Sequence, residues 1–178
     1  LWNGVAFGGS VAPSRDDGRE PRRDLTGYAG GNALAAEALL TVTAYTDADA
    51  PREYAERVLE TLAASFLDGG VVSHIHPDDV GDDGTDPPTG LLADHARVLS
   101  GLTAAAQVTG LDGWLAPARS IADDAIDRLV DDEGTFLDGE PTGAGLLDRP
   151  LRPLETNAEM ADALLDLWAL TDDDRYTQ

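Results

Sequence analysis

Two kinds of apolar pattern alternate along this chain. From about Asn32 to Ala44 the sequence is apolar nearly all round, through Ala33, Leu34, Ala35, Ala36, Ala38, Leu39, Leu40 and Val42. A helix of that kind is buried on more than one side. The next stretch starts after Asp49, a favoured N-cap residue, with Pro51 in its first turn. Its apolar positions fall in two adjacent rows, Tyr54, Val58, Leu62, Phe66 and Ala55, Leu59, Ala63, Leu67, while Arg52, Glu53, Glu56, Arg57 and Glu60 face away. That spacing predicts an amphipathic helix open to water on one side. The contrast returns further on. Leu91 to Val108 is alanine-rich and mostly apolar, and the following helix sets Ala118, Ile121, Ala122, Ala125, Ile126 and Leu129 against Asp123, Asp124, Asp127 and Arg128. Pro117 must lie in the first turn of that helix, since deeper inside it would break it. A third apolar helix begins at Asn157 and runs through Trp168.

The alternation is a repeat. Asn32, His95 and Asn157 take equivalent places, each followed by alanine, and Thr46, Thr109 and Thr171 close the apolar helix of each copy; both sets are spaced 63 and then 62 residues apart. Two independent landmarks with one period predict paired helices stacked in series, inner ones covered by outer ones. The fold expected is all-α, antiparallel helical hairpins in a double-layered ring or solenoid. Short β-prone runs, Gly69 to Ile75 and Gly134 to Leu137, follow each outer helix as small extended excursions, and residues 76 to 90 form an acidic loop. The domain reading is an extended N-terminal segment over 1–29 and a helical domain over 30–178 holding about two and a half hairpins. Because the chain opens at Leu1 without methionine and its third hairpin breaks off at Gln178, it is expected to be a piece of a longer protein.

Composition narrows the partners. Twelve arginines and no lysine against 34 acidic residues leave a net charge of −22, a surface that repels phosphate backbones and anionic lipid. Nucleic acid and membrane are therefore excluded as expected partners. Disorder, the usual companion of such acidity, conflicts with 42% hydrophobic residues in helical periodicity. Adaptation to high salt accounts for it better, because a dense carboxylate surface stays hydrated while its self-repulsion is screened. The absence of cysteine removes disulfides, thiolate metal sites and cysteine nucleophiles from this chain. Without a signal peptide or a long apolar run, the expected compartment is the cytoplasm.

Candidate chemistry sits at the starts of the apolar helices: Asn32, Asp94 with His95, and Asn157 with Glu155 and Glu159. In a ring of hairpins these ends and their loops surround a central cavity, where such folds bind ligands. The competing reading is helix capping by Asn and Asp, and repetition does not separate the two, since repeated helices need repeated caps. Asp94, the one acid embedded in an apolar helix start, and His95 beside it are the acid/base candidates. Asn32, Asn157 and Glu159 are the ligand-binding candidates. His74 and His76 form a His-x-His pair in an extended run, but two ligands without a third make a weak metal site and solvated loop histidines are the preferred reading. No metal and no cofactor are expected. Arg15, Arg19, Arg22 and Arg23 form the one basic cluster, read as pairing with nearby carboxylates.

The stretches YAGGNALAAEALL, DGGVVSHI, GLLADHARVLSGLTAAAQVTG, WLAPARSIADDAIDRLVDDEGTF and RPLRPLETNAEMADALLDLWALTDDDRY together resemble the C-terminal α/α part of a family of thioredoxin-domain proteins of uncharacterised function, with a lysine-free, aspartate-rich balance similar to halophilic archaeal proteins. That part is similar in architecture to the N-acylglucosamine 2-epimerase and six-hairpin glycosidase toroids. The resemblance covers roughly residues 25 to 178. It implies an (α/α)6 toroid, of which this chain holds a part. The thioredoxin module with its cysteine pair is not in this chain, and the epimerases' catalytic histidines find no matching positions. Two functional classes follow: a toroid that binds a small molecule or serves as a scaffold for the thioredoxin module, and a carbohydrate-active enzyme domain, epimerase or hydrolase by analogy of fold, with Asp94 and His95 as acid/base groups. The partners implied are the rest of its own toroid or a second copy, and a small carbohydrate.

Overall fold

A computed structural model describes residues 26–79, 86–141 and 148–177. The arginine cluster, nearly all of the N-terminal segment and the middle of the acidic loop lie outside the described residues. The described chain is built on five helices: α1 (Ala29–Thr46), α2 (Asp49–Ser65), α3 (Leu92–Thr109), α4 (Leu115–Leu129) and α5 (Leu154–Thr171). Short 3₁₀ turns cover Pro77–Asp79, Asp112–Trp114 and Asp174–Thr177. β1 (Leu67–Asp68) and β2 (Val71–Val72) pair antiparallel as the one small sheet among the described residues.

The repeat is visible in how the apolar helices end. Thr46, Thr109 and Thr171 are the last residues of α1, α3 and α5, and each hydroxyl donates to the carbonyl four residues back, on Val42, Ala105 and Leu167. The next residue turns left-handed: Asp47 at φ 53, Gly110 at φ 67, Asp172 at φ 53. Aspartate is among the few side chains that tolerate this turn, so Gly is replaceable there by Asp and by little else.

α1, α3 and α5 form the inner row, α3 packed between the other two; α2 and α4 lie behind them. The core between the layers is aliphatic, with Leu40, Leu59, Leu62, Leu99, Leu102, Ile121, Met160 and Leu167 fully buried. Gly101 lets α1 and α2 approach α3, because a Cβ there would lie 3.0 Å from Leu59 Cδ2 and 3.6 Å from the Ala33 carbonyl. α3 keeps one partly open stripe, Ala93, Arg97, Ser100, Ala104 and Gln107, at helical spacing on the side opposite His95, Leu99, Leu102 and Ala106. This stripe is the inner surface of the layer. The outer flank of α1 exposes Leu34, Val42 and Tyr45, and that of α5 exposes Leu154, Leu165 and Trp168.

Three sequence boundaries shift. The inner helices begin at Ala29, Leu92 and Leu154, so α1 and α5 start three residues before the expected Asn32 and Asn157. Asp49 is the first residue of α2 rather than its cap, and spends its carboxylate on Arg52 at 3.1 Å. Among the described residues, no helix is long and apolar enough to cross a membrane.

Candidate functional site

Asn32, His95 and Asn157 are each the fourth residue of an inner helix. Each side chain reaches back to the carbonyl just before its helix: Asn32 Nδ2 donates to Tyr28 O at 2.7 Å, His95 Nδ1 to Leu91 O at 2.9 Å, and Asn157 Nδ2 to Pro153 O at 3.0 Å. The capping reading is therefore corrected. A cap residue sits outside the helix and accepts from first-turn amides, whereas these residues sit inside it and donate. The true cap positions, Tyr28, Leu91 and Pro153, make no side-chain capping bond.

Beyond the shared bond the copies diverge. His95, fully buried, turns Nε2 to Asp124 Oδ2 on α4 at 3.1 Å. The Leu91 carbonyl can only accept, so Nδ1 donates to it, and Nε2 is taken up by the Asp124 carboxyl. Asn157 clamps the excursion after α4, accepting from the Phe136 amide at 2.9 Å and donating to the Phe136 carbonyl at 2.9 Å. These are framework roles, and His95 has no free nitrogen for proton transfer.

Asp94 is the third residue of α3 and is almost fully buried, toward α1. Its Oδ1 accepts from the Gly30 amide, 3.1 Å away, and Oδ2 lies 2.8 Å from His74 Nδ1. It thus serves a neighbouring helix: Gly30 N–H is one of the first four amides of α1, which have no partner within their own helix, and a carboxylate also suits the positive end of the helix dipole. The fit needs glycine at position 30, where a Cβ would stand 2.8 Å from Asp94 Oδ1 and 3.2 Å from Arg97 Cδ. Burial pushes the Asp94 carboxyl above the usual range, against the pull of His74, the Gly30 amide and the more distant His95. With both oxygens bonded and its side chain nearly buried, Asp94 offers almost no surface to a ligand.

The open atom belongs to His74. Its side chain is 37% exposed against 4% for Asp94, its ring stands edge-on to Tyr28 with centroids 5.4 Å apart, and no hydrogen bond among the described residues engages Nε2. The sequence alone suggests a solvated loop histidine at 74; the signal in the chain for its contact with Asp94 is Pro88, which has no amide to offer the side chain. His76 packs its ring against Phe66 at 5.2 Å and accepts the Asp78 amide; the two histidines do not act as a pair. Among the described residues no group of three or more His, Asp or Glu side chains is placed to hold a metal ion.

On the inner surface, Arg97 of α3 meets Glu159 of α5 through Nε at 3.2 Å and Nη2 at 3.5 Å, both side chains about a third exposed. Further along, the Asp166 carboxyl is pushed up by burial and then by the Asp162 charge one turn away, against the opposing influence of Gln107 on α3. Glu155 is exposed at the start of the same helix. At the helix-start end, a cleft of about 880 Å³ runs between the connecting segments, lined by Pro88, Thr89, Leu91, Arg128, Asp138 and Leu151 among others.

No family model matches the sequence, and no curated protein matches it in sequence. The fold, however, is shared with solved structures. A GH76 α-mannanase of Bacteroides thetaiotaomicron superposes with a TM-score of 0.69 at 16% identity over 89% of this chain and 42% of that one. A glycoside hydrolase family 76 mannosidase from Bacteroides thetaiotaomicron VPI-5482 gives 0.64 at 12% identity, over 89% and 43%. The chain spans less than half the length of either, and its architecture is that of part of a six-hairpin α/α toroid.

Proposed function

We propose that this chain is the ligand-binding part of an α/α toroid and that its ligand is a small carbohydrate, held on the inner surface of α3 and α5 near the helix starts. The carrying observation is the cross-helix pairing of Arg97 with Glu159 on the one partly open stripe of α3, near the starts of both helices. A fixed, partly exposed guanidinium beside a carboxylate suits vicinal hydroxyls, which donate and accept at once. The kinship of fold with enzymes named for mannan makes α-mannosides the first probes, although fold alone does not carry an activity. Titrating methyl α-D-mannopyranoside into the ¹⁵N-labelled protein should move amides of α3 and α5 between Arg97 and Gln107 and between Glu159 and Asp166. Glu159→Ala should weaken that response about tenfold, since it also frees Arg97. An unchanged spectrum at tens of millimolar across common monosaccharides defeats the proposal.

The proposal extends to assembly and source. The exposed apolar flanks of α1 and α5 are covered by the remaining hairpins of the toroid or by a second copy, in a protein that carries a thioredoxin module elsewhere and works in high salt. Sedimentation of the 178-residue chain as a strict monomer would oppose the covering of the flanks, and a longer parent sequence without a thioredoxin module would oppose that part. At net charge −22 the melting temperature should climb between dilute buffer and molar salt, because screening relieves self-repulsion. A salt-indifferent melt contradicts the high-salt reading.

A further inference from the structure

We propose that His74, oriented by Asp94, is the proton-transfer group of this carbohydrate site, acting through Nε2 on a ligand hydroxyl while the sugar's apolar face lies on the Tyr28 ring. The inference rests on the carbohydrate reading above and adds the reacting atom.

Three observations and one rule of hydrogen bonding converge on that atom. The His74 backbone is fixed at both ends, its amide donating to Pro88 O at 2.7 Å and its carbonyl accepting from Ala29 N at 2.9 Å. Its Nδ1 is 2.8 Å from a nearly buried carboxylate whose other oxygen is held by the Gly30 amide. An ionised carboxylate can only accept, so the neutral imidazole carries its proton on Nδ1 and its lone pair on Nε2. Tyr28, 36% exposed, stands edge-on beside the imidazole, and an aromatic face next to a hydrogen-bond acceptor is what a pyranose offers partners for. The geometry is that of a base with an orienting acid behind it. Among the described residues the titratable groups that face it are Asp94 in direct contact and Tyr28 at its edge; Arg97 lies beside Asp94 against Gly30, which brings the Arg97–Glu159 surface next to this imidazole, and His95 acts on Asp94 from α3 itself.

The step is balanced within the site. A ligand O–H bond breaks, its proton forms an N–H bond at Nε2, and the electron pair stays on the ligand oxygen. The imidazolium so formed is stabilised by Asp94, and the reverse transfer returns the same proton from Nε2 to the ligand oxygen. Asp94 itself holds and orients; it does not touch the ligand.

Imidazole ¹⁵N NMR on the 178-residue protein tests this directly. Neutral wild-type His74 should show the Nδ1–H tautomer. Asp94→Asn should switch it to Nε2–H, because the asparagine oxygen still serves Gly30 while its amide now donates to Nδ1. Methyl α-D-mannopyranoside should shift the wild-type His74 ring resonances, and His74→Gln, an exposed change, should weaken binding about five- to tenfold. Should Asp94→Asn not fold, the wild-type tautomer and the His74→Gln titration decide alone. A wild-type Nε2–H tautomer, or α3 and α5 amides that respond to the sugar while His74 does not, overturns the dyad and leaves the carbohydrate reading standing. A protein deaf to every sugar removes both.

Discussion

The two excursions that follow the outer helices share a backbone plan and differ in what their side chains do. After α2, the His74 carbonyl receives the first amide of α1 and the His74 amide donates to Pro88; after α4, the Asp138 carbonyl receives the first amide of α3, from Leu92, and the Asp138 amide donates to Leu151. Pro88 and Leu151 are equivalent, 63 residues apart like the other landmarks. In the second excursion the Leu151 amide returns a bond to Asp138 Oδ1 at 2.8 Å, so the side chain is consumed locally. Proline has no amide to return. The side chain at 74 therefore has no local donor, and the imidazole reaches Asp94 instead. One position in a repeat is structural where its partner can donate and chemically open where it cannot.

That contrast predicts that damage to the second excursion is felt in stability and damage to the first in chemistry. Asn157→Ala should have the largest effect. It strips both bonds from the Phe136 backbone and the bond to Pro153, leaving polar groups unpaired at a cost of about 2–3 kcal/mol. Urea denaturation should show it, whereas His74→Gln should change the unfolding free energy by less than about 0.5 kcal/mol. Equal losses would erase the distinction. Next comes His95→Asn, which puts the sister copies' residue at this place. It can keep the Leu91 contact but gives up Asp124 and leaves space in a buried site, a loss of about 1–2 kcal/mol. A neutral outcome would mean that the Asp124 contact contributes nothing to folding.

Much of this was legible in the chain. The inner and outer helices, the 63/62 period and the threonine ends follow from periodicity and are present as read. The equivalence of Asn32, His95 and Asn157 was legible too, but its meaning was not. Residue type suggests capping as readily as a ligand site, and a side chain four places into a helix is bonded backward by geometry that type alone does not reveal. The His74–Asp94 contact joins residues 20 apart across an extended excursion, and depends on Pro88 lacking a hydrogen. No helical periodicity carries that information. Glu159 pairs with Arg97, a residue from another repeat that could be found only in three dimensions.

Gly30 and Gly31 offer a finer comparison inside the first region. A methyl at 31 meets nothing within 4 Å, while one at 30 meets Asp94 Oδ1 and Arg97. Gly31→Ala should therefore stabilise by about 0.5–1 kcal/mol through helix propensity. Gly30→Ala should lose that benefit and about 1 kcal/mol more as Asp94 is displaced. Thermal melts of the pair resolve the sign, and a gain from both would show that Asp94 moves aside without cost.

The smallest effect is in the response to pH, where the two regions should pull in opposite directions. Asp94 has its carboxyl raised above 3.8 in the folded state, chiefly by burial. The folded protein then binds more protons than the unfolded one in the window above 3.8, so the contribution of Asp94 to stability is fully present below that value and is lost as pH rises through the raised one. Asp131, at the start of the second excursion, is the reverse. The Thr135 amide first, then Arg152 and the Glu133 amide, hold its carboxyl below 3.8, so its contribution is present above 3.8 and lost as pH falls through the lowered value. Asp94→Asn removes the first dependence and leaves the second. The stability of wild type relative to Asp94→Asn should therefore fall as pH is raised from about 3 to 6, while Asp131→Asn should show the opposite slope, largest below 3.8. A wild-type advantage over Asp94→Asn that grows with pH would mean that His74 and the Gly30 amide outweigh burial, making Asp94 a stabilising ion pair and not a charge held in place at a cost to the fold.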